Sequence, residues 1–191
     1  MFHTKTVTES GAYAVRLYVN GEPNDIVIDD YFPYDSRPEK DCWLFSRDTT
    51  ENEIWVQILE KAYAKVFGSY EVVEGGKPYQ AMLNLTGFPS DILYHDDIDE
   101  DSLWRLVQKA ARKDQPMVTT VNSIALGETK VIKAKGLADH HAYTILTAIS
   151  VMGDDDEVIR LIKIRNPYGT RAKREWQLDW QDMTEGHKQY L

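Results

Sequence analysis

Cysteine is almost absent from this chain, because Cys42 is the only one among 191 residues. A single thiol excludes a disulfide within the chain, as is typical of proteins that fold in the cytoplasm. The sequence also lacks any run of 18 apolar residues, and Met1–Lys5 leads into no apolar segment of the kind that signal peptides carry. We therefore expect a cytoplasmic protein without a membrane span.

Positive charge is also scarce. The 22 Lys and Arg residues are outnumbered by 31 Asp and Glu, which gives a net charge of −9. A surface of this sign repels phosphates, so we expect no nucleic-acid partner. Hydrophobic residues make up 42% of the chain, enough for a folded core at this length. No repeat or linker divides the sequence, and we predict one domain over 1–191.

Hydrophobic periodicity predicts an α+β fold with antiparallel sheet. Strands are expected over Ala12–Val19 and Ile26–Asp29, joined by a turn at Asn20-Gly21. A capping box of Thr50 and Glu53 would open a first helix that ends at Gly68. The remaining predicted elements are a second helix over 99–113 and strands over 117–124, 129–135, 142–151 and 158–165.

A histidine and an asparagine stand at the two ends of the last predicted hairpin. His141-Ala142-Tyr143 opens its first strand, and Asn166-Pro167-Tyr168-Gly169 follows its second. Antiparallel pairing would bring the start of one strand beside the end of the other, so His141 and Asn166 would meet. An imidazole oriented by a carboxamide supplies two of the three members of a cysteine-protease triad.

These motifs resemble those of the calpain family of cysteine proteases, where Gly-His-Ala-Tyr precedes Arg-Asn-Pro-Trp-Gly. The likeness runs from about residue 10 to residue 185. Further stretches match in the same order: Gly11-Ala12-Tyr13, Ile26–Asp30, Glu53-Ile54-Trp55, Leu59–Lys65, Gly68–Glu71, Gly75-Gly76, Trp176 and Trp180.

The resemblance implies the second, His/Asn-bearing half of a calpain protease core. It implies a papain-like right-half barrel or sandwich with two main helices. In that family the nucleophilic Cys lies in a preceding half, and the active site forms between the two. We therefore expect His141 and Asn166 to be catalytic and Tyr168 to shield their hydrogen bond. The expected partners are a nucleophile-bearing half and a protein substrate, and we expect no peptidase activity from this chain alone.

Cys42 is not expected to be the nucleophile, although Asp41-Cys42-Trp43 is similar to the family's Gly-Asp-Cys-Trp motif. A reactive thiolate is favoured at a helix N-terminus or beside a cation. The residues after Cys42 show no helical period, and Lys40 replaces the family's glycine. We interpret Cys42 as a structural, half-buried thiol.

Two departures from the family lie inside the motifs: His140 replaces a glycine, and Tyr168 replaces a tryptophan. They keep open an alternative, a catalytically dead calpain-like module used for protein binding or cytoskeletal scaffolding. The resemblance also offers calcium as a cofactor, because Glu185 falls near a ligand position of the family. The acidic stretch His95–Asp101 lacks the central glycine of an EF-hand loop, and we interpret it as a solvated loop and helix start.

Overall fold

The computed structural model describes residues 1–38, 42–46, 53–121, 126–153, 155–168 and 176. The chain divides into two compact units, Met1–Ile92 and Leu93–Leu191. The single domain over 1–191 remains a prediction. No helix among the residues covered is long and apolar enough to cross a membrane.

Four strands come first, and helices precede the first two of the three strands that follow. In chain order they are β1 (Ala12–Val19), β2 (Glu22–Asp29), β3 (Tyr34–Asp35), β4 (Cys42–Trp43), α1 (Trp55–Phe67), α2 (Pro78–Thr86), a 3₁₀ turn (His95–Asp97), α3 (Glu100–Ala111), β5 (Met117–Val121), α4 (Leu126–Ala134), β6 (His141–Met152) and β7 (Val158–Arg165).

The core of the first unit lies between a β-hairpin and α1. Strands β1 and β2 pair antiparallel from Ala12 opposite Asp29 to Val19 opposite Glu22. Asn20 and Gly21 both have positive φ, 54° and 84°, as a two-residue hairpin turn requires. Because side chains alternate along β1, its residues Tyr13, Val15 and Leu17 are buried on one face. They pack against Ile58 and Ala62 of α1.

Helix α1 begins later than its sequence predicted. Its N-cap is Ile54, with no side-chain hydrogen bond, so the capping box of Thr50 and Glu53 is wrong. Thr50 lies outside the described residues, and the Glu53 carboxylate instead accepts the indole N–H of Trp55. The helix ends at Gly68, whose φ is 121°.

Lys61 on α1 ties the helix to the end of the hairpin. Its ammonium donates to Asp29 Oδ1 and to the carbonyl oxygen of Tyr31, each at 2.5 Å. The hydrogen bond from Lys61 holds the pKa of the Asp29 carboxyl below its ordinary value. The contact therefore joins two elements that also share the apolar core.

Helix α2 packs on β1 and was not predicted from the sequence. Pro78 occupies its first turn, and it ends at Gly87 in the left-handed conformation. A Cβ at Gly87 would lie 2.6 Å from Cε1 of Tyr18, so only glycine permits this close approach.

The second unit contains a three-stranded antiparallel sheet in the order β5-β6-β7. Helix α3 packs on β6. The Asp99 carboxylate caps this helix by accepting the backbone N–H of Ser102 at 2.9 Å. Two predictions are confirmed closely, since α3 falls inside 99–113 and β7 spans the predicted residues 158–165.

The α+β class with antiparallel sheets is confirmed, whereas one predicted strand is wrong. The stretch 129–135 lies in helix α4 rather than in a strand. The two predicted helices correspond to the two longest, α1 and α3, and the described part of the chain contains two shorter helices besides, α2 and α4. The strands there form three separate sheets of two, two and three strands, and they close no barrel.

Candidate active site

The β6–β7 pairing brings the predicted histidine and asparagine together. His141 is the first residue of β6, and Asn166 directly follows β7. The last pairs of the ladder are Ile145 opposite Ile164 and Thr144 opposite Arg165. Continued along the chain, this register sets His141 opposite Tyr168, with Asn166 one diagonal step away.

A register shift decides which face of the sheet these side chains share. Beyond Leu146 the ladder continues from Thr147 opposite Lys163, so Leu146 is an extra residue in β6. Because strand side chains alternate, one extra residue exchanges the two faces. The bulge thus places His141 and Asn166 on the same face, which the unshifted register would not do.

The imidazole and the carboxamide are in direct contact. His141 Nε2 lies 2.9 Å from Asn166 Oδ1. The same oxygen accepts the backbone N–H of Tyr168 at 3.1 Å. Because the backbone N–H of Tyr168 can only donate, the amide atom that it contacts is the oxygen. Since a carbonyl oxygen only accepts, His141 Nε2 carries a proton, and the neutral ring keeps its lone pair on Nδ1.

The Asn-Pro-Tyr sequence explains how the carboxamide is held. Pro167 disfavours helical backbone at Asn166, the residue directly after β7. The Asn166 side chain then accepts the N–H two residues further on, which is an Asx turn. The turn therefore fixes the orientation of the Asn166 amide independently of its hydrogen bond to the imidazole.

Two tyrosine rings contact the His141 imidazole. Tyr143 is 3% exposed, and its ring meets the imidazole edge-on with centroids 4.9 Å apart. Tyr168 lies 4.6 Å away at an interplanar angle of 39°, but 63% of it is exposed. The ring predicted to shield the hydrogen bond therefore lies against the imidazole and remains mostly in water.

The turn before His141 contains an unusual backbone and a buried acid. His140 has a φ of 51°, a conformation that favours glycine. The Asp139 side chain is 8% exposed, and its carboxylate accepts the His140 N–H at 2.9 Å. Sequence reasoning did not single out Asp139, and only its place two residues before the histidine could have drawn attention to it.

The other predicted site residues lie elsewhere or outside the described chain. Cys42 is half-buried in β4, opposite Asp35 in the first unit, and its structural role remains a prediction. Glu185 and Gly169 lie outside the described residues. Within the portion that the structure covers, no group of three or more His, Cys, Asp or Glu could hold a metal ion. A calcium site remains a prediction.

Comparison with known proteins finds similarity along almost the whole chain. A family model described as "Calpain family cysteine protease" matches residues 1–189. The calpain-type cysteine protease ADL1 of Oryza sativa subsp. japonica is 35% identical over 95% of this chain. Calpain-9 of Mus musculus is 31% identical over 91%, and the calpain-2 catalytic subunit of Gallus gallus is 30% identical over 91%. The chain spans 8%, 24% and 23% of the lengths of these three relatives.

Proposed function

The chain belongs to the calpain family of cysteine proteases, and we propose that it supplies the His/Asn pair of an intracellular cysteine endopeptidase. The nucleophilic thiol would come from another half of the protease core. The observation that carries the proposal is the hydrogen bond of 2.9 Å from His141 Nε2 to Asn166 Oδ1. That bond fixes which ring nitrogen is left for a thiol.

In the proposed reaction, His141 acts first as a base and then as an acid. Its Nδ1 lone pair takes the thiol proton, which gives a thiolate and an imidazolium. The thiolate attacks the carbonyl carbon of the scissile peptide bond, and the imidazolium protonates the amine as the C–N bond breaks. Water then hydrolyses the acyl-enzyme, with His141 again accepting a proton. Asn166 accepts the Nε2–H bond throughout.

Tyr168 would partly cover the His141–Asn166 bond against water. A hydrogen bond is stronger where water is excluded. The ring lies beside the imidazole but is largely exposed, so its shielding would be incomplete. The protein substrate would lie against this face, in the cleft that the nucleophile-bearing half completes.

Reconstitution tests the proposal. The chain is mixed or co-expressed with the Cys-bearing half of calpain-9 of Mus musculus, and cleavage of a fluorogenic peptide is followed. We expect turnover with the wild-type chain and loss of about two orders of magnitude or more with His141→Ala. Cys42→Ala serves as the matched control and should keep full turnover. Equal activity with wild-type and His141→Ala chains would contradict the proposal.

The rival function is a catalytically dead module that binds proteins. Two departures from the family pattern support this reading: His140 replaces a glycine at a position with left-handed backbone, and Tyr168, which replaces a tryptophan, is mostly exposed. It predicts stable association with the Cys-bearing half and no turnover at any calcium concentration. Calcium dependence, the finer part of our proposal, predicts turnover that a chelator abolishes and added calcium restores.

A further inference from the structure

We propose that Asp139 is a positioning residue for His141: its carboxylate fixes the turn that delivers the imidazole to Asn166. The proposal deepens the function above and rests on His141 being the base. Asp139 accepts the His140 N–H and the Thr129 hydroxyl, so it would act on His141 through the backbone of the turn.

The first support is the burial of a charged group. The Asp139 side chain is 8% exposed, and a carboxylate removed from water requires hydrogen-bond donors. The His140 N–H donates to Oδ1 at 2.9 Å, and the Thr129 hydroxyl donates to Oδ2 at 3.2 Å. Thr129 belongs to α4, so the carboxylate joins this helix to the residue just before the base.

A second anchor comes from the strand on the other side of the turn. The Ala138 N–H donates to the hydroxyl of Tyr143 on β6 at 2.9 Å. The turn between α4 and β6 is therefore held from both elements, at Ala138 and at Asp139. These bonds also hold the left-handed backbone of His140, which a residue other than glycine rarely adopts.

The consequence concerns the base itself. His141 directly follows this turn, and its contacts to Asn166 and Tyr168 require a fixed backbone position. Displacing a reacting group by about 1 Å can cost on the order of 10²-fold in rate. Releasing the turn would therefore loosen the His141–Asn166 bond while the apolar sheet beneath remains paired.

Ring N–H exchange measured by NMR on this chain tests the proposal. Asp139→Ala removes both acceptors, and we expect the His141 Nε2–H proton to exchange with water about tenfold faster or more than in wild type. Asp139→Asn retains an oxygen for the His140 N–H and should stay within about threefold of wild type. Thr129→Val removes the α4 hydroxyl that donates to Oδ2, and its exchange rate should fall between those of the two Asp139 variants.

The control is Ser150→Ala, which removes a hydrogen bond from Gln108 to β6 away from the turn. It should leave the ring exchange unchanged, even where the free energy of unfolding falls. Unchanged exchange in Asp139→Ala, or equal acceleration in Asp139→Asn and Asp139→Ala, would overturn the proposal. If Asp139→Ala does not fold, unchanged exchange in Thr129→Val overturns it.

Steady-state kinetics of the reconstituted protease distinguish a failure of this inference from a failure of the proposed function. In the reconstituted protease, Asp139→Ala should lower kcat about tenfold or more and leave KM within about twofold. The ring exchange needs no nucleophile-bearing half. Absence of peptidase activity in the wild-type reconstitution would therefore count against the proposed function and not against the anchoring of the turn.

Discussion

Replacing Asn166 by alanine should release the His141 imidazole, and the size of the effect follows from the contacts. The substitution removes one acceptor oxygen that serves two donors, His141 Nε2–H and the Tyr168 N–H. A typical hydrogen bond contributes about 1 kcal/mol net to stability. We therefore expect Asn166→Ala to lower the free energy of unfolding by about 1–3 kcal/mol, measured by urea denaturation.

The tautomer ratio of His141 is a more specific measurement on the Asn166→Ala variant than its stability. Only the bond to the imidazole affects the preference for a proton on Nε2, so that preference should fall by about 1 kcal/mol. Since 1.4 kcal/mol corresponds to a factor of ten, the ratio of the Nε2–H to the Nδ1–H form should drop about fivefold. The ¹⁵N shifts of the two ring nitrogens measure this ratio directly at a pH where the ring is neutral.

Asn166→Asp is the matched control, because a carboxylate oxygen can accept both N–H groups. It should keep the Nε2–H form at least as dominant as in wild type. A tautomer ratio that is the same in wild type and Asn166→Ala would refute the reasoning. It would mean that the contact between imidazole and carboxamide does not control the ring in solution.

Two further predictions concern the scaffold. In Gly87→Ala, the alanine would have to adopt left-handed backbone and its Cβ would lie 2.6 Å from the Tyr18 ring. The free energy of unfolding, measured by urea denaturation, should therefore fall by about 2–5 kcal/mol. An unchanged free energy of unfolding would show that the Tyr18 ring moves aside without cost. Asp99→Ala should destabilise α3 at pH 7, since the Ser102 hydrogen bonds hold the pKa of the Asp99 carboxyl below its ordinary value. The contribution of this cap is complete above the unfolded pKa of about 3.9 and is lost as the pH falls through the lower folded pKa. The difference in the free energy of unfolding between wild type and Asp99→Ala should therefore become smaller in strong acid. A difference that does not change with pH would contradict this prediction.

Regular periodicity made the hairpins predictable. Asn20-Gly21 between two alternating runs indicated β1 and β2, and the basic and apolar alternation of 158–165 indicated β7. Antiparallel pairing then placed His141 near Asn166 without further information. The proximity of the two residues could be predicted because both lie at strand ends that antiparallel pairing brings together, whereas the face they share depends on the bulge at Leu146.

Helix α4 shows why the prediction failed elsewhere. Lys130-Val131-Ile132-Lys133 contains β-branched residues in a short run, which periodicity alone does not assign to helix or strand. The missed signal lay after the run, where Gly136 has a φ of 83° and the Leu137 N–H donates to the carbonyl of Ile132. These are the marks of a helix C-cap, and a glycine two residues after a periodic segment indicates one.

Nothing in the sequence pattern indicates the bulge at Leu146 or the role of Asp139. A bulge changes the pairing of two strands, and the sequence 141–152 reads as one continuous strand with or without it. Asp139 is defined by the helix and strand that close around it, which are tertiary contacts. The features that determine on which face of the sheet the imidazole lies, and where its backbone is held, therefore had to come from the structure.

Thiol reactivity tests most directly whether His141 shares a proton with a cysteine of another half. The Cys-bearing half is alkylated with iodoacetamide across a range of pH, alone and with this chain. We predict that the wild-type chain speeds alkylation at neutral pH by about tenfold or more, because the imidazole converts the thiol to a thiolate, and that His141→Ala does not. Alkylation at the same rate with the wild-type chain, the His141→Ala chain and no chain would contradict the assignment of His141 as the base.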